Sequence, residues 1–174
     1  MSTSQNTPEQ PGTSAEQPTA PASLPSQALE RLGEALPAVA TPLGAYRPAV
    51  RDGEHILTSG QLPLRDGAPV AVGRAGAELS TQDAAAAARQ CALNAIAAAA
   101  AVAGDVDALA GVVKVTGFVN SDPSFTDQAL VLNGASELLG EVFGEVGIHA
   151  RSAVGVAALP LGVPVEVEVT FRAR

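Results

Sequence analysis

Cysteine, histidine and basic side chains are all scarce in this chain: it has one Cys, two His, and ten Lys and Arg against eighteen Asp and Glu. A lone Cys91 excludes an intramolecular disulfide and any cysteine-based zinc cluster, and it suits a reducing compartment. His55 and His149 stand far apart, so no metal framework is visible and no metal is expected. Phosphate binding needs clustered Lys and Arg, and a net charge of -8 offers no such footprint, which argues against nucleic acid as a partner. No apolar run is expected to span a bilayer, and the first residues lack a charged stretch followed by an apolar one. The expectation is a soluble cytoplasmic protein with no membrane partner.

What is present begins with a composition shift. Residues 1–27 are built from Ser, Thr, Pro, Gln and Glu, with almost nothing large and apolar to bury, so they are expected to be a disordered tail. A docking role for such a tail is the other reading. Residues 28–174 leave room for one domain with a single core, placed over 45–172. Leu29, Leu32 and Leu36 recur at helical spacing ahead of Pro37, which predicts a short amphipathic helix over 28–36, lying on the domain edge.

Ala49–Arg51, Asp52-Gly53 and His55–Gly60 read as a β-hairpin, with a second turn at Asp66-Gly67. Between them, Thr58–Pro63 is interrupted by Gly60 and Pro63. Such a break marks either a close backbone approach to a ligand or a strand end with a bulge. Ser80 and Asp83 form a capping-box pattern that opens an alanine-rich helix ending at Gly104. Cys91 falls on its apolar stripe, as a small core residue, and Asn94 reads as a polar edge. Gly111–Asn120 predicts a strand buried on both faces except at Lys114. A second helix follows over Phe125–Phe143, with Val131, Ala135, Leu138 and Val142 on one face and Gly144 as its stop. Asn133 lies outside that stripe, so it faces solvent or something other than the core.

The last two strands start at Arg151, the only basic residue between Lys114 and Arg172. An arginine at the mouth of an apolar strand needs a reason. Val165, Val167, Val169 and Phe171 alternate with Glu166, Glu168, Thr170 and Arg172 in a clean period of two. The order is strands, helix, strand, helix, strands, without a regular βα alternation. An α+β class follows, a mixed sheet with two helices on one face and the other face left for an oligomer to cover. If a hairpin turns tightly at Pro160, Glu166 lies diagonal to Arg151 on one sheet face; if it turns at Gly162, they do not meet. In the first case the pair either forms a pocket that holds a carboxylate and a water or is a structural ion pair.

The strings Y-R-P-A-V from Tyr46, T-S-G-Q-L-P-L from Thr58, G-F-V-N from Gly117 and A-R-S-A-V-G-V-A-A-L-P-L-G-V-P-V-E-V-E from Ala150 resemble the RidA/YjgF family, formerly the L-PSP endoribonucleases. The likeness covers about residues 45–171 and is closest to a divergent bacterial branch. It implies a chorismate-mutase-like fold assembled as a homotrimer with clefts at the subunit interfaces. It also implies hydrolysis of a small 2-imino acid to a 2-keto acid and ammonia, without metal or cofactor. By this likeness Arg151 holds the substrate carboxylate and Glu166 positions water, with Tyr46, Ser59, Gly60, Asn133 and Ala153 as further cleft positions. Ala153 replaces a cysteine common in the archetype, so only a backbone contact carries over there. Arg47, beside the cleft, bears on which acid is accepted. The alternative is a non-catalytic, chaperone-like trimer that binds small carboxylates. The older name suggests RNA cleavage, which the acidic charge and the lack of paired histidines oppose.

Overall fold

In the computed structural model, which describes residues 23–39, 41 and 44–174, the elements run α1 (Pro25–Leu32), β1 (Ala49–Asp52), β2 (His55–Thr58), β3 (Leu64–Arg65), β4 (Ala68–Pro69) and α2 (Thr81–Ala103). They continue with β5 (Leu109–Asn120), α3 (Gln128–Val131), α4 (Asn133–Phe143), β6 (Ala150–Val156) and β7 (Val165–Ala173). The expected tail over residues 1–22 lies outside the described residues. Residues 25–27, read as part of that tail, belong to α1, which ends at Gly33 rather than at Pro37.

Five strands form one mixed sheet in the order β1-β2-β7-β5-β6, with β5 and β6 parallel and every other pair antiparallel. The period of two in the last strand decides which face is inside: Val165, Val167, Val169 and Phe171 are buried under the helices. Phe171 meets Phe143 of α4, ring centroids 5.9 Å apart. Each such fully buried side chain contributes roughly 1.5–3 kcal/mol of hydrophobic stabilisation. Glu166, Glu168, Thr170 and Arg172 face the other way. On that open face Val50, Leu57 and Val154 are exposed. β5 is correspondingly covered on one face only, with Val115, Gly117 and Val119 buried while Lys114, Thr116 and Phe118 are half-exposed, so its expected burial on both faces does not hold for the single chain.

Ser80 and Asp83 start α2 as anticipated. The Ser80 hydroxyl accepts from the Asp83 amide at 3.1 Å, and the Asp83 carboxylate accepts from the Ser80 amide at 3.4 Å. By length and composition α2 does meet the requirement for a membrane span, at 23 residues and mean hydropathy 1.3, contrary to the expectation that no run would. Within the fold, 67% of that window is buried as the central core helix. Its alanines permit the close approach of α4: a Cβ on Gly134 would lie 1.9 Å from the Ala85 carbonyl oxygen, so only glycine fits. The predicted second helix begins three residues late, at Gln128, and is broken at Leu132 into α3 and α4.

Both tight turns are present. Asp66 and Gly67 both take positive φ (54° and 81°), as a type I′ turn requires. The first hairpin differs by one residue: Asp52 pairs with His55, so the turn residues are Gly53-Glu54 and only Gly53 has positive φ (59°). The expected hairpin between β6 and β7 does not form. β5 lies between them, and the chain crosses over through Pro160–Gly162.

Candidate functional site

The inserted strand places the two expected catalytic residues. Across the sheet Val115 pairs with both Arg151 and Val169, whereas Phe118 pairs with both Val154 and Glu166. Arg151 and Glu166 are therefore two strands and three residue positions apart, about 14 Å between backbones at ordinary sheet spacings. They also point to opposite faces, since Arg151 shares the helix side with Val115 and Glu166 the open side with Phe118. Of the two cases left open by the sequence, the one in which they share a face and converge within one chain does not hold, and the structural ion pair falls with it.

Arg151 sits at the start of edge strand β6, half-buried against α4. Its Nη1 donates to Asn133 Oδ1 at 2.9 Å and to Ser136 Oγ at 3.0 Å. No carboxylate among the described residues pairs with it, although Arg74 and Arg89 both have acidic partners. Asn133 thus faces something other than the core. Ser136, which the sequence reading missed, was signalled by its position three residues along the same helix. Ala153 follows on the same side of β6, packed partly against the core. His149 lines a cleft of about 370 Å³ with Arg151 and Ser136. Its Nδ1 donates to the Ala150 carbonyl at 3.1 Å. Burial, then the nearby Arg151 and Lys114, hold its pKa below the ordinary histidine value.

Glu166 belongs to a second cluster. After Thr58 the chain leaves the sheet and rejoins it at Gln61, which exchanges backbone hydrogen bonds with Val167 at 2.8 and 3.1 Å. Thr58 Oγ1 fills the gap by accepting from the Val169 amide at 3.0 Å. The break is a bulge, and what its backbone approaches closely is the Glu166 side chain: a Cβ on Gly60 would overlap Glu166 Oε1, so the missing side chain is what admits the carboxylate. Ser59 donates its hydroxyl to the Arg47 carbonyl at 2.6 Å and is thereby tied to the Tyr46–Pro48 segment. Tyr46, 53% exposed, lines a cleft of about 400 Å³ with Pro48, Gly60, Gln61, Leu62 and Asn94. Burial, then the adjacent Glu168, push the Glu166 pKa above the usual carboxylate value.

Two more polar residues hold this cluster in place. Gln61 Nε2 donates to the Ser59 carbonyl at 3.1 Å, and Asn94 Nδ2 donates to the carbonyls of Leu62 and Leu64 at 2.8 and 3.0 Å. Asn94 also accepts from Gln90 at 2.9 Å, and Gln90 accepts from Arg65 at 2.8 Å. It is a clamp on the site loop rather than an edge residue. The available signal was a Gln and an Asn four apart on a largely alanine helix. His55 is exposed on β2, as expected of a strand surface residue.

Arg151, Asn133 and Ala153 are thus brought together at one sheet edge, and Tyr46, Ser59, Gly60 and Glu166 around the loop beside β7. Among the described residues, no three His, Cys, Asp or Glu side chains are placed to hold a metal ion. The chain is 50% identical to Protein TCP17 of Trypanosoma cruzi over 141 residues, 80% of this chain and 88% of that one. Among solved structures, the protein Atu1372 of Agrobacterium tumefaciens, of unknown function, has a TM-score of 0.79 at 38% identity, covering 87% of this chain and 94% of that one. The E. coli protein TdcF, solved with bound serine, has a TM-score of 0.57 at 27% identity, covering 78% and 93%. The lower likeness to TdcF marks this chain as a divergent branch. A family model described as "YjgF/chorismate_mutase-like, putative endoribonuclease" matches residues 27–169, and with this α+β, chorismate-mutase-like fold the chain belongs to that family.

Proposed function

We propose that this protein hydrolyses small 2-imino acids to 2-keto acids and ammonia, at a site formed where two copies of the chain meet in a homotrimer. The observation that carries the reading is Arg151: a half-buried guanidinium, oriented by Asn133 and Ser136, with no carboxylate of its own among the described residues. Such a group is built to receive an anion from outside. The open sheet face, where Val50, Leu57 and Val154 are exposed among the polar residues of β7, is left for association to cover, and association is what would bring the Glu166 of one copy towards the Arg151 of another. TdcF, solved with bound serine, shows that a relative takes a small amino acid, whose carboxylate is the chemistry Arg151 would hold.

The reaction asks little of the protein. Water adds to the imine carbon and one of its protons passes to the nitrogen, giving a carbinolamine; the remaining hydroxyl proton then moves to the nitrogen as the C–N bond breaks, leaving the 2-keto acid and ammonia. Arg151 fixes the carboxylate end. Glu166 orients the water, and its raised pKa brings proton exchange closer to neutral pH. The Gly60 backbone sets where that carboxylate stands. RNA cleavage is the poorer reading, since the net charge of -8 repels a polyanion. Binding without turnover is the second reading, favoured by one fact: a lone protomer holds an anion site on one face and its glutamate on the other.

The test is to generate 2-aminoacrylate with a dehydratase in the presence of semicarbazide and measure loss of trapped product. Wild type is expected to compete with the trap, and Arg151→Ala to lose at least a hundredfold in kcat/KM. No acceleration by wild type contradicts the enzymatic reading, and calorimetric binding of a 2-keto acid would then leave the carboxylate-binding one.

A further inference from the structure

Beyond Arg151, strand β6 loses side chain with each step along its helix side: Arg151, then Ala153, then Gly155. Gly155 pairs with buried Val119 and so lies on the same side as the other two. It is exposed, and a Cβ built on it would stand 3.0 Å from Ser121 Oγ and 3.1 Å from Gln128 Nε2. The edge strand therefore carries a floor of small residues beside α3, about 13 Å long between the backbones of Arg151 and Gly155. Gly155, at its far end, lines a second cleft of about 450 Å³ together with Arg74, Ser121, Asp122 and Gln128, among others.

That cleft has a definite chemistry. Gln128 Nε2 is committed to the Phe125 carbonyl at 2.7 Å, so its Oε1 is the end left to accept. Asp122 Oδ1 accepts from the amide and hydroxyl of Ser124 at 2.9 and 2.6 Å, which leaves Oδ2 as a second acceptor. Arg74 is neutralised by Glu78, with Nη2 3.1 Å from Oε1. Counting Arg74, Glu78 and Asp122 together, the far end bears one net negative charge. It suits a donor and repels a carboxylate.

We propose that the site takes 2-imino acids with a long side chain ending in a hydrogen-bond donor, the chain lying over Ala153 and Gly155 and its end meeting Gln128 and Asp122. This rests on Arg151 as the carboxylate anchor and adds the class of side chain. A guanidinium or ureido end satisfies both acceptors; a methyl end leaves them to water; a distal carboxylate meets Asp122 and Glu78.

The experiment generates imines in situ with a broad amino-acid oxidase from alanine, glutamate, citrulline and arginine, each against semicarbazide trapping. For wild type, kcat/KM is expected to be at least tenfold higher for the arginine and citrulline imines than for the alanine imine, and lowest for the glutamate imine. Gly155→Val, on an exposed strand position with room to shift two flexible side chains, is expected to lower the arginine-to-alanine ratio at least tenfold. Gln128→Leu, which leaves β6 untouched, should lower the same ratio. A wild-type ratio at or below one, a glutamate imine hydrolysed as fast as the arginine imine, or a ratio unmoved by both variants overturns the proposal while leaving the hydrolase reading standing. Hydrolysis of none of the four imines overturns both.

Discussion

The two halves of the candidate site are built by opposite means. At the β6 edge a cation is held from above: Asn133 and Ser136 on α4 orient Arg151, and α4 is pressed close to α2 because residue 134 is glycine. Beside β7 an anion is held from below, where a break in the strand after Thr58 leaves the bare backbone of Gly60 under Glu166. The first half is backed by a helix. The second is a carboxylate on an open sheet face with its pKa raised, which under the proposed function handles protons. One fold presents them on opposite sides of one sheet, and under the proposed function a second copy completes the site.

That contrast can be broken from either side. Arg151→Ala should have the largest effect, removing 2-keto acid binding by calorimetry together with turnover. Gly60→Ala should instead separate the two functions. The new Cβ displaces the Glu166 carboxylate, so kcat is expected to fall about tenfold or more while 2-keto acid binding persists. A parallel loss of both would mean that the halves are not distinct.

The smallest effect is on stability. Folding raises the Glu166 pKa, so the folded chain holds that proton more tightly than the unfolded one. This stabilisation is full below the unfolded carboxylate value, about pH 4.3, and is lost as pH rises through the raised value. Thermal unfolding of wild type should therefore lose slightly more between pH 4 and neutrality than that of Glu166→Gln. For a half-exposed side chain the difference is expected to be at most about 2 °C. Identical pH profiles would show that Glu166 is not strained by its site.

Much of this arrangement was legible in the sequence. Ser80, Asp83 and Gly104 bound α2 because caps are local chemistry, and the alternation from Val165 to Phe171 gave the buried face because a strand has a strict period. The partner of Arg151 was not legible. Proximity in sequence suggested that β6 and β7 pair, but pairing is decided by the whole sheet, and β5 takes the place between them. Leu132 could not be read as a break, since its apolar stripe continues through it into α4. Asn94 looked like an interruption of an apolar pattern because the groups it clamps are backbone carbonyls, which leave no mark in the sequence. Gly155, inside an apolar string, gave no sign that it forms the floor of an open cleft.

The proposed sharing of the site between copies is tested most directly by mixing its two damaged halves. Arg151→Ala and Glu166→Gln, each expected to be inactive alone, are unfolded together, refolded as mixed assemblies and assayed for imine hydrolysis. If each site takes its arginine from one copy and its glutamate from another, random mixing rebuilds about a quarter of the sites, and activity should return to about that fraction of wild type. Mixed assemblies that stay as inactive as either parent would contradict a site shared between subunits.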